Sequence, residues 1–442
     1  MHVAVVVLGD VGRSPRMQYH ALSLLEAGHE VSLIGYTGEA LIPSLVGWKT
    51  LRVYRFQVPS PKILQNSAVV YFLWRIITLS LWLSFALHSA RARAPTRIDC
   101  LLVQNPPALP LLFVAVVFSY VTALMTGRKP SIVIDWHNLG YSMLSSGALR
   151  KIARVYEQTM APWADGHLTV TEAMKEYIMD DMNVQKNVRV LYDCPPAMFQ
   201  PLPLEQQHDT LCKLQTSLAK VCPPSWLTDS TESLFTEKKK EKVVYRSKRP
   251  ALVTSSTSWT PDEDFGILLD ALKQLEAKIE QESSDLRVVL VVTGKGPQKK
   301  HYQEIMSKLT LSHVAIQTVW LEPGDYPRLL ACADLAVSLH TSTSGLDLPM
   351  KILDSFGCHV PVCAYDFAAL PELVQDGENG RTFQNSEQLA EQLWELLNPL
   401  RGQGNHAFGL LEKYSRNLHG RRRWDENWTE NALPVIEKAV SP

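Results

Sequence analysis

The tetrapeptide Asp135-Trp-His-Asn138 puts a carboxylate and an imidazole two residues apart at the end of an apolar run over 131–135. Such a pair makes a tunable general base, and Trp136 and Tyr141 offer flat faces on which a sugar can stack. A second carboxylate, Asp10, sits in the loop Gly9-Asp-Val-Gly-Arg-Ser-Pro-Arg16. There Gly9 and Gly12 let a ligand come close to the backbone, and Arg13 and Arg16 can meet negative charge. The glycine spacing is not the G-x-G-x-x-G dinucleotide fingerprint, and no acidic residue ends the next strand. A tight turn with solvated arginines would also explain that loop, and a lone core histidine would explain His137. The company each keeps at a sheet edge favours a ligand.

Residues suited to anions recur in the second half. Ser255-Ser-Thr-Ser-Trp259 places Ser256 and Trp259 between a strand and the acidic helix start Asp262-Glu-Asp264, although helix capping produces the same pattern. Thr293-Gly-Lys-Gly-Pro297 ends an apolar run, so that Gly296 admits a diphosphate and Lys295 offsets its charge. The Gly-Lys-Ser/Thr order of a nucleotide-hydrolysing P-loop is missing. Residues 340–354 read HTSTSGLDLPMKILD, in which Ser344, Gly345, Leu346, Asp347 and Leu348 lead into a helix opened by Pro349. Proline suits a first helical turn, whose free amides then face the loop where a diphosphate can rest. Capping accounts for Ser344 and Asp347 but not for Lys351, a cation that the helix dipole disfavours unless an anion is near. Asp347 and Asp354 can hold ribose or sugar hydroxyls.

These loops need a frame, and the hydrophobic periodicity supplies one. Short β-branched runs over 2–8, 30–35, 100–103, 131–135, 167–170 and 188–191 alternate with helical patterns over 17–27, 109–125, 148–161 and 172–182. That alternation predicts a doubly wound parallel sheet. The pattern lapses into polar sequence over 203–249, including Glu237-Lys-Lys-Lys-Glu-Lys242, and is read as a linker or insertion between domains 1–202 and 250–442. It then restarts with strands over 251–254, 287–293, 314–318, 335–339 and 360–364 and helices over 264–281, 298–308, 326–332, 349–356 and 387–397. A last helix is expected over 424–440, with its docking open. Two such domains in tandem leave a cleft at the carboxyl ends of their strands.

The totals agree with this division. A chain of 442 residues exceeds one hydrophobic core, and a net charge of −1 gives no electrostatic reason to expect nucleic acid. Seven scattered cysteines without a C-x-x-C pair fit a reducing compartment rather than a zinc site. The opening HVAVVVLGD lacks the basic region and cleavage site of a secretory signal. Residues 69–87 and 109–125 approach the ~20 apolar residues of a spanning helix, but Arg75 interrupts the first and Pro110 the second. Aromatic residues beside Arg91, Arg93 and Arg97 suit a helix lying in the headgroup region, and a core helix is the alternative.

The motifs GDVGRSPRMQYHALSL (9–24), QNPPALP (104–110), VIDWHNLGYS (133–142), SSTSWTPDEDF (255–265), VTGKGP (292–297), SGLDLPMKILDSFGC (344–358) and RRWDENW (422–428) together resemble the chitobiosyldiphosphodolichol β-mannosyltransferase family, glycosyltransferase family 33. The resemblance spans nearly the whole chain apart from 203–249. It implies a GT-B fold, with two Rossmann-like domains facing across a cleft. It also implies GDP-mannose as donor and transfer of the first β1,4-mannose to GlcNAc2-diphosphate-dolichol for protein N-glycosylation at the cytosolic face of the endoplasmic reticulum membrane. Other mannosyltransferases of that pathway are the partners the resemblance implies. Family members carry a transmembrane helix before the first strand, whereas this sequence begins at that strand. Membrane contact then falls to 69–87 and 109–125, or to a missing leader.

An α-linked donor and a β-linked product call for a single in-line displacement without an enzyme nucleophile. A base in the first domain takes the acceptor proton, and cations or amides in the second meet the departing GDP. Asp10, Asp135 and His137 are the base candidates, and the sequence does not separate them. Lys351, Lys295 and the amides near Leu348 are set against the leaving group. Gly12, Arg13, Ser256, Trp259, Lys295, Gly296, Ser344, Gly345, Leu346, Asp347, Leu348 and Asp354 are assigned to the donor, and Arg16, Trp136, Asn138 and Tyr141 to the acceptor. No Asp-x-Asp metal motif of the type used by single-domain glycosyltransferases is evident, so neither a catalytic metal nor a tightly bound cofactor is expected. Rival readings are a non-catalytic subunit, which would have lost these charged groups, and a retaining enzyme, whose paired Glu residues Asp347 and Asp354 match only loosely.

Overall fold

The computed structural model describes residues 1–59, 67–145, 147–227, 232–322, 324–398 and 409–441. The chain forms two compact units, one made of Met1–Asp193 with Arg422–Pro442, the other of Cys194–Arg421.

The first unit runs β1 (His2–Asp10), α1 (Pro15–Glu26), β2 (Glu30–Tyr36), β3 (Leu51–Phe56), α2 (Ala68–Arg93), β4 (Cys100–Asn105), α3 (Leu111–Thr126), β5 (Ser131–Trp136), α4 (Gly147–Met160), β6 (Gly166–Thr169), α5 (Glu172–Asp181) and β7 (Val188–Val190). Its seven strands are parallel in the order β3-β2-β1-β4-β5-β6-β7. β1 is buried on both faces, which is why it reads as an unbroken Val-rich run rather than an alternating one. The order reverses between β1 and β4, and ligands of open α/β sheets bind outside the carboxyl ends of strands at such a switch point.

In the second unit come α6 (Leu204–Leu218), the hairpin β8 (Thr236–Lys239) and β9 (Lys242–Tyr245), β10 (Ala251–Ser256), α7 (Phe265–Gln281), β11 (Val288–Thr293), α8 (Lys299–Met306), β12 (Val314–Val319), α9 (Asp325–Leu330), β13 (Leu335–Ser338), α10 (Met350–Gly357), β14 (Val362–Tyr365), β15 (Gly380–Phe383), α11 (Ser386–Leu397) and α12 (Gly409–Asn417). The main sheet is again parallel, in the order β12-β11-β10-β13-β14-β15. Finally α13 (Trp424–Val440) returns to the first unit, where Trp428, Ala432, Val435 and Ile436 join the core built on Val3, Val5 and Leu33.

The polar stretch 203–249 is no bare linker. Leu211, Leu214 and Leu218 of α6 pack with Trp226, Phe235 and the sheet residues Leu252, Val289 and Val291. The apolar positions of α6 recur at helical spacing but are diluted by Glu, Gln, Asp and Lys, so composition hid the pattern. Residues 228–231 of that stretch lie outside the described residues. β3 and β15 were also not anticipated, being edge strands with fewer buried positions.

Val70–Arg93 is long and apolar enough to cross a membrane by length and composition. Yet Leu79, Leu83, Ala86, Leu87 and Ala90 form a buried stripe, while Ile77, Leu81 and Phe85 face outward. The helix therefore has one apolar face against the unit and another that is exposed.

Candidate active site

In the first unit the carboxyl ends of β1, β4 and β5 bring together Asp10, Asn105 and Asp135-Trp-His-Asn138. Asp135 is fully buried and saturated with partners. Arg16 grips it bidentately, Nε to Oδ2 at 2.8 Å and the second guanidinium nitrogen to Oδ1 at 2.8 Å. His20 Nε2 lies 3.1 Å and His137 Nε2 2.6 Å from Oδ2. Burial alone would raise the Asp135 carboxyl, but Arg16, His137 and His20 hold it well below the usual carboxylate range. An ionised carboxylate can only accept, so both histidines present Nε2–H to it. Trp428 Nε1 donates to His20 Nδ1 at 2.9 Å, which takes up the second nitrogen of His20. His137, whose side chain is 22% exposed, meets Asp135 through Nε2 and not through Nδ1.

The three base candidates sit in different surroundings. Asp135 is inaccessible and orients His137. Asp10 accepts the Gly12 amide at 2.9 Å and the Glu39 amide at 3.0 Å, and the Glu39 amide foremost lowers its pKa, making it a loop-forming carboxylate. Gly12 is required by that same loop, since a Cβ there would lie 2.5 Å from the Glu39 carbonyl oxygen. Arg13 stays exposed and pairs with Glu39 at 2.9 Å.

Two acceptor assignments need correction. Arg16 is only 7% exposed and gives four of its five N–H groups to Asp135, Asp193 and the Leu191 carbonyl, so it is a buried structural cation with little to offer a ligand. Trp136 is fully buried, its ring stacked on His167 and its Nε1 donating to His167 Nδ1 at 3.2 Å, so it offers no face to a sugar. Strand alternation explains this, because neighbouring side chains of β5 point to opposite faces of a sheet covered on both. Tyr141 remains partly exposed, its hydroxyl 2.6 Å from that of Tyr177, and Asn138 Oδ1 accepts the Leu139 amide at 2.7 Å.

In the second unit the donor candidates sit at the carboxyl ends of β10, β11 and β13 and at the start of α10. A Cβ at Gly294 would lie 1.8 Å from the Thr257 carbonyl oxygen, and one at Gly296 1.7 Å from that of Ser258. The glycines therefore first serve to let two loops touch. Trp259 is 1% exposed and packs with Phe265 and Tyr302, a correction to its expected contact with donor. Its position between polar residues concealed this core role. Lys295 lies over the Trp320 ring at 3.6 Å.

The anion that Lys351 needs proves to be Glu263, which sequence reasoning passed over as part of an acidic helix start. Glu263 is 2% exposed and accepts from Lys351, from the Thr257 hydroxyl at 2.5 Å and from the Ser258 amide at 2.7 Å. Burial would raise its carboxyl, but His340 and Lys351 bring it down to about 2. Three residues before a helix glycine, it carried no signal except its distance from a cation. In the 340–348 loop, Ser342 and Ser344 donate to Asp347, and Gly345 takes a positive φ of 75°. Ser256 is bonded to Tyr326 at 2.8 Å, and burial raises Asp354 to about 7. Leu346 and Leu348 line the same loop.

Among the described residues, Glu276, Glu280 and His313 are close enough to surround a cation. The Glu276 carboxylate already accepts the Ser312 and His313 amides at 2.7 and 3.0 Å, at the amino end of β12 and so at the opposite edge of the sheet from the donor candidates. Among the described residues no cysteine forms a disulfide.

Comparison with known proteins agrees with this division. Residues 11–193 match the family described as Glycosyl transferase 4-like domain, and residues 249–399 match Glycosyl transferases group 1. The chain is 39% identical over 456 residues to chitobiosyldiphosphodolichol beta-mannosyltransferase of Mus musculus, covering 98% of this chain and 89% of the mouse protein. It is 38% identical over 471 residues to UDP-glycosyltransferase TURAN of Arabidopsis thaliana, covering 99% and 97%. Sucrose-phosphate synthase of Thermosynechococcus elongatus shares the fold, with a TM-score of 0.65 at 14% identity over 100% of this chain and 99% of that one.

Proposed function

This chain belongs to the chitobiosyldiphosphodolichol β-mannosyltransferase family of GT-B glycosyltransferases, and on that premise we propose that it moves mannose from GDP-mannose to GlcNAc2-diphosphate-dolichol. The α-linked sugar of the donor becomes β-linked in the product by one in-line displacement. The 2.6 Å contact between His137 and Asp135 carries this reading, since it leaves a partly exposed imidazole nitrogen able to take the acceptor proton. Asp135 keeps its charge and stabilises the imidazolium that forms, as a buried carboxylate does behind a catalytic histidine. Arg16 and His20 keep that carboxylate in place.

On the donor side, charge grows on the departing GDP. Lys351, Lys295, Arg13 and the amides near Leu348 are the groups proposed to meet it. Because Glu263 already offsets Lys351, that ammonium is positioned before the donor arrives and shares its remaining hydrogens with the diphosphate. Gly12, Ser256, Gly296, Ser344, Gly345, Leu346 and Asp347 shape the donor loops, and Asp354 is set to hold ribose hydroxyls. Asn138 and Tyr141 face the acceptor. The lipid acceptor places the reaction at a membrane, for which we propose the cytosolic face of the endoplasmic reticulum.

A different donor is raised by the Arabidopsis relative, whose name specifies a UDP-glycosyltransferase. Purified protein offered labelled GDP-mannose and UDP-glucose side by side, with a lipid-linked GlcNAc2 acceptor, decides between them. Transfer from GDP-mannose alone is the expected result, and transfer from UDP-glucose alone would overturn the donor assignment.

A further inference from the structure

Helix α4 is built inside out. Its one buried residue is Glu157, 1% exposed, whereas Leu149, Ile152 and Val155 are 41%, 64% and 61% exposed. A helix laid on a sheet and bathed in water shows the reverse order. At about 100° per residue the exposed surface of α4 is itself divided, with Leu149, Ile152 and Val155 on one arc and Arg150, Lys151 and Arg154 on the other.

The apolar arc does not stop at α4. The amide of Phe113 in α3 donates to Tyr156 of α4 at 3.0 Å, and Tyr120 of α3 meets Trp163 edge-on at 6.0 Å. Phe113, Val117, Tyr120 and Leu124 of α3 are all exposed, Leu124 by 88%. In a sheet ordered β3-β2-β1-β4-β5-β6-β7, right-handed crossovers put α2, α3 and α4 on one face, so the outward residues of α2 extend the same surface. An apolar surface this extensive, rimmed by cations, marks an interaction site.

We propose that α4 lies in the interface of a bilayer that carries anionic headgroups, with Leu149, Ile152 and Val155 among the acyl chains and Arg150, Lys151 and Arg154 at the phosphates. An apolar arc beside a basic one, at low overall hydrophobicity, is the composition of an interfacial helix, and charge complementarity selects a lipid surface over a neutral protein groove. α4 follows the loop that carries His137, with a 3-10 turn at Gly140–Met143 between them. Seating α4 in the interface therefore holds the proton acceptor close to the membrane surface from which the sugars of a lipid-linked acceptor project. The proposal deepens the lipid-acceptor reading above and rests on it.

The full chain is floated with vesicles of phosphatidylcholine alone and with a quarter phosphatidylserine. Wild type is expected to float with both, more strongly with phosphatidylserine, and to lose that advantage in high salt. Ile152→Asp should lower partition at least tenfold. Arg150→Glu with Lys151→Glu should lower binding to the anionic vesicles by on the order of tenfold or more while sparing the neutral ones. Both variants alter exposed positions, and equal melting temperatures confirm that they fold. Equal partition of Ile152→Asp and wild type would overturn the proposal. So would a wild type that ignores both vesicles, the behaviour expected if the stripe binds protein. Transfer to a short-chain, water-soluble acceptor keeps the two readings apart. Ile152→Asp should match wild type there, whereas inactivity of wild type itself would count against mannosyl transfer and not against docking.

Discussion

A carboxylate cut off from water keeps its charge only if cations or donors surround it, and Asp135 has Arg16, His20 and His137. Its environment fixes the hydrogen of His137 on Nε2 and frees Nδ1. Replacing His137 with alanine should therefore lower kcat by roughly 10²- to 10⁴-fold with little change in donor KM, measured by steady-state transfer on a folded variant. A near-normal kcat would remove His137 from the reaction. Asp135→Asn is a poorer probe, because it strands a buried Arg16 and costs about 3–5 kcal/mol of stability.

Glu157 makes a separate, pH-dependent statement. Burial raises its carboxyl from 4.5 to about 7, so the folded chain retains a proton that the unfolded chain releases first. Stability should thus fall as pH rises from about 4.5 to about 7 and level off beyond, by about 3 kcal/mol in all. Glu157→Gln should flatten that slope in denaturant titrations at pH 5 and pH 8. An unchanged slope would assign it to another group. Asp135 and His137 stood out in the sequence because only one residue separates them, but the partners of Arg16 and Glu263 did not, because they lie 119 and 88 residues away.

Elements supply the loops on which these side chains stand, and the two glycines of Thr293-Gly-Lys-Gly-Pro297 show how tightly. Gly296→Ala would drive a Cβ into the Ser258 carbonyl and push the loop after β11 away from the one after β10. GDP-mannose affinity should drop at least tenfold by calorimetry, while the first unit keeps its spectroscopic signature; unaltered affinity would show that the loops do not form the donor site. α13 carries a similar dependence, since Trp428 fills the first unit's core and donates to His20. Trp428→Ala should cost about 3–5 kcal/mol in denaturant unfolding. A loss below 1 kcal/mol would mean that α13 is not held there. Strands buried on both faces and helices of strong period were legible from the hydrophobic pattern. The side on which Trp136 falls was not, because burial of both sheet faces removes the alternation that would have revealed it, and Trp259 was hidden by the polar residues around it in the loop after β10.

For the molecule as a whole, the repeated strand–helix pattern was enough to expect two Rossmann-like units, and each is present with its own parallel sheet. The limits of those units were harder to read. The segment 203–249 belongs to the second because its few leucines meet that unit's sheet, and the last helix belongs to the first, a long-range return that no local pattern encodes. The proposed single displacement has a stereochemical consequence: attack opposite the leaving group must invert the sugar. The decisive measurement is the anomeric configuration of the mannose in the product made from GDP-mannose, read by one-bond carbon–proton coupling at the anomeric carbon. A β-linked product is predicted, and an α-linked product would contradict the single displacement on which the account rests.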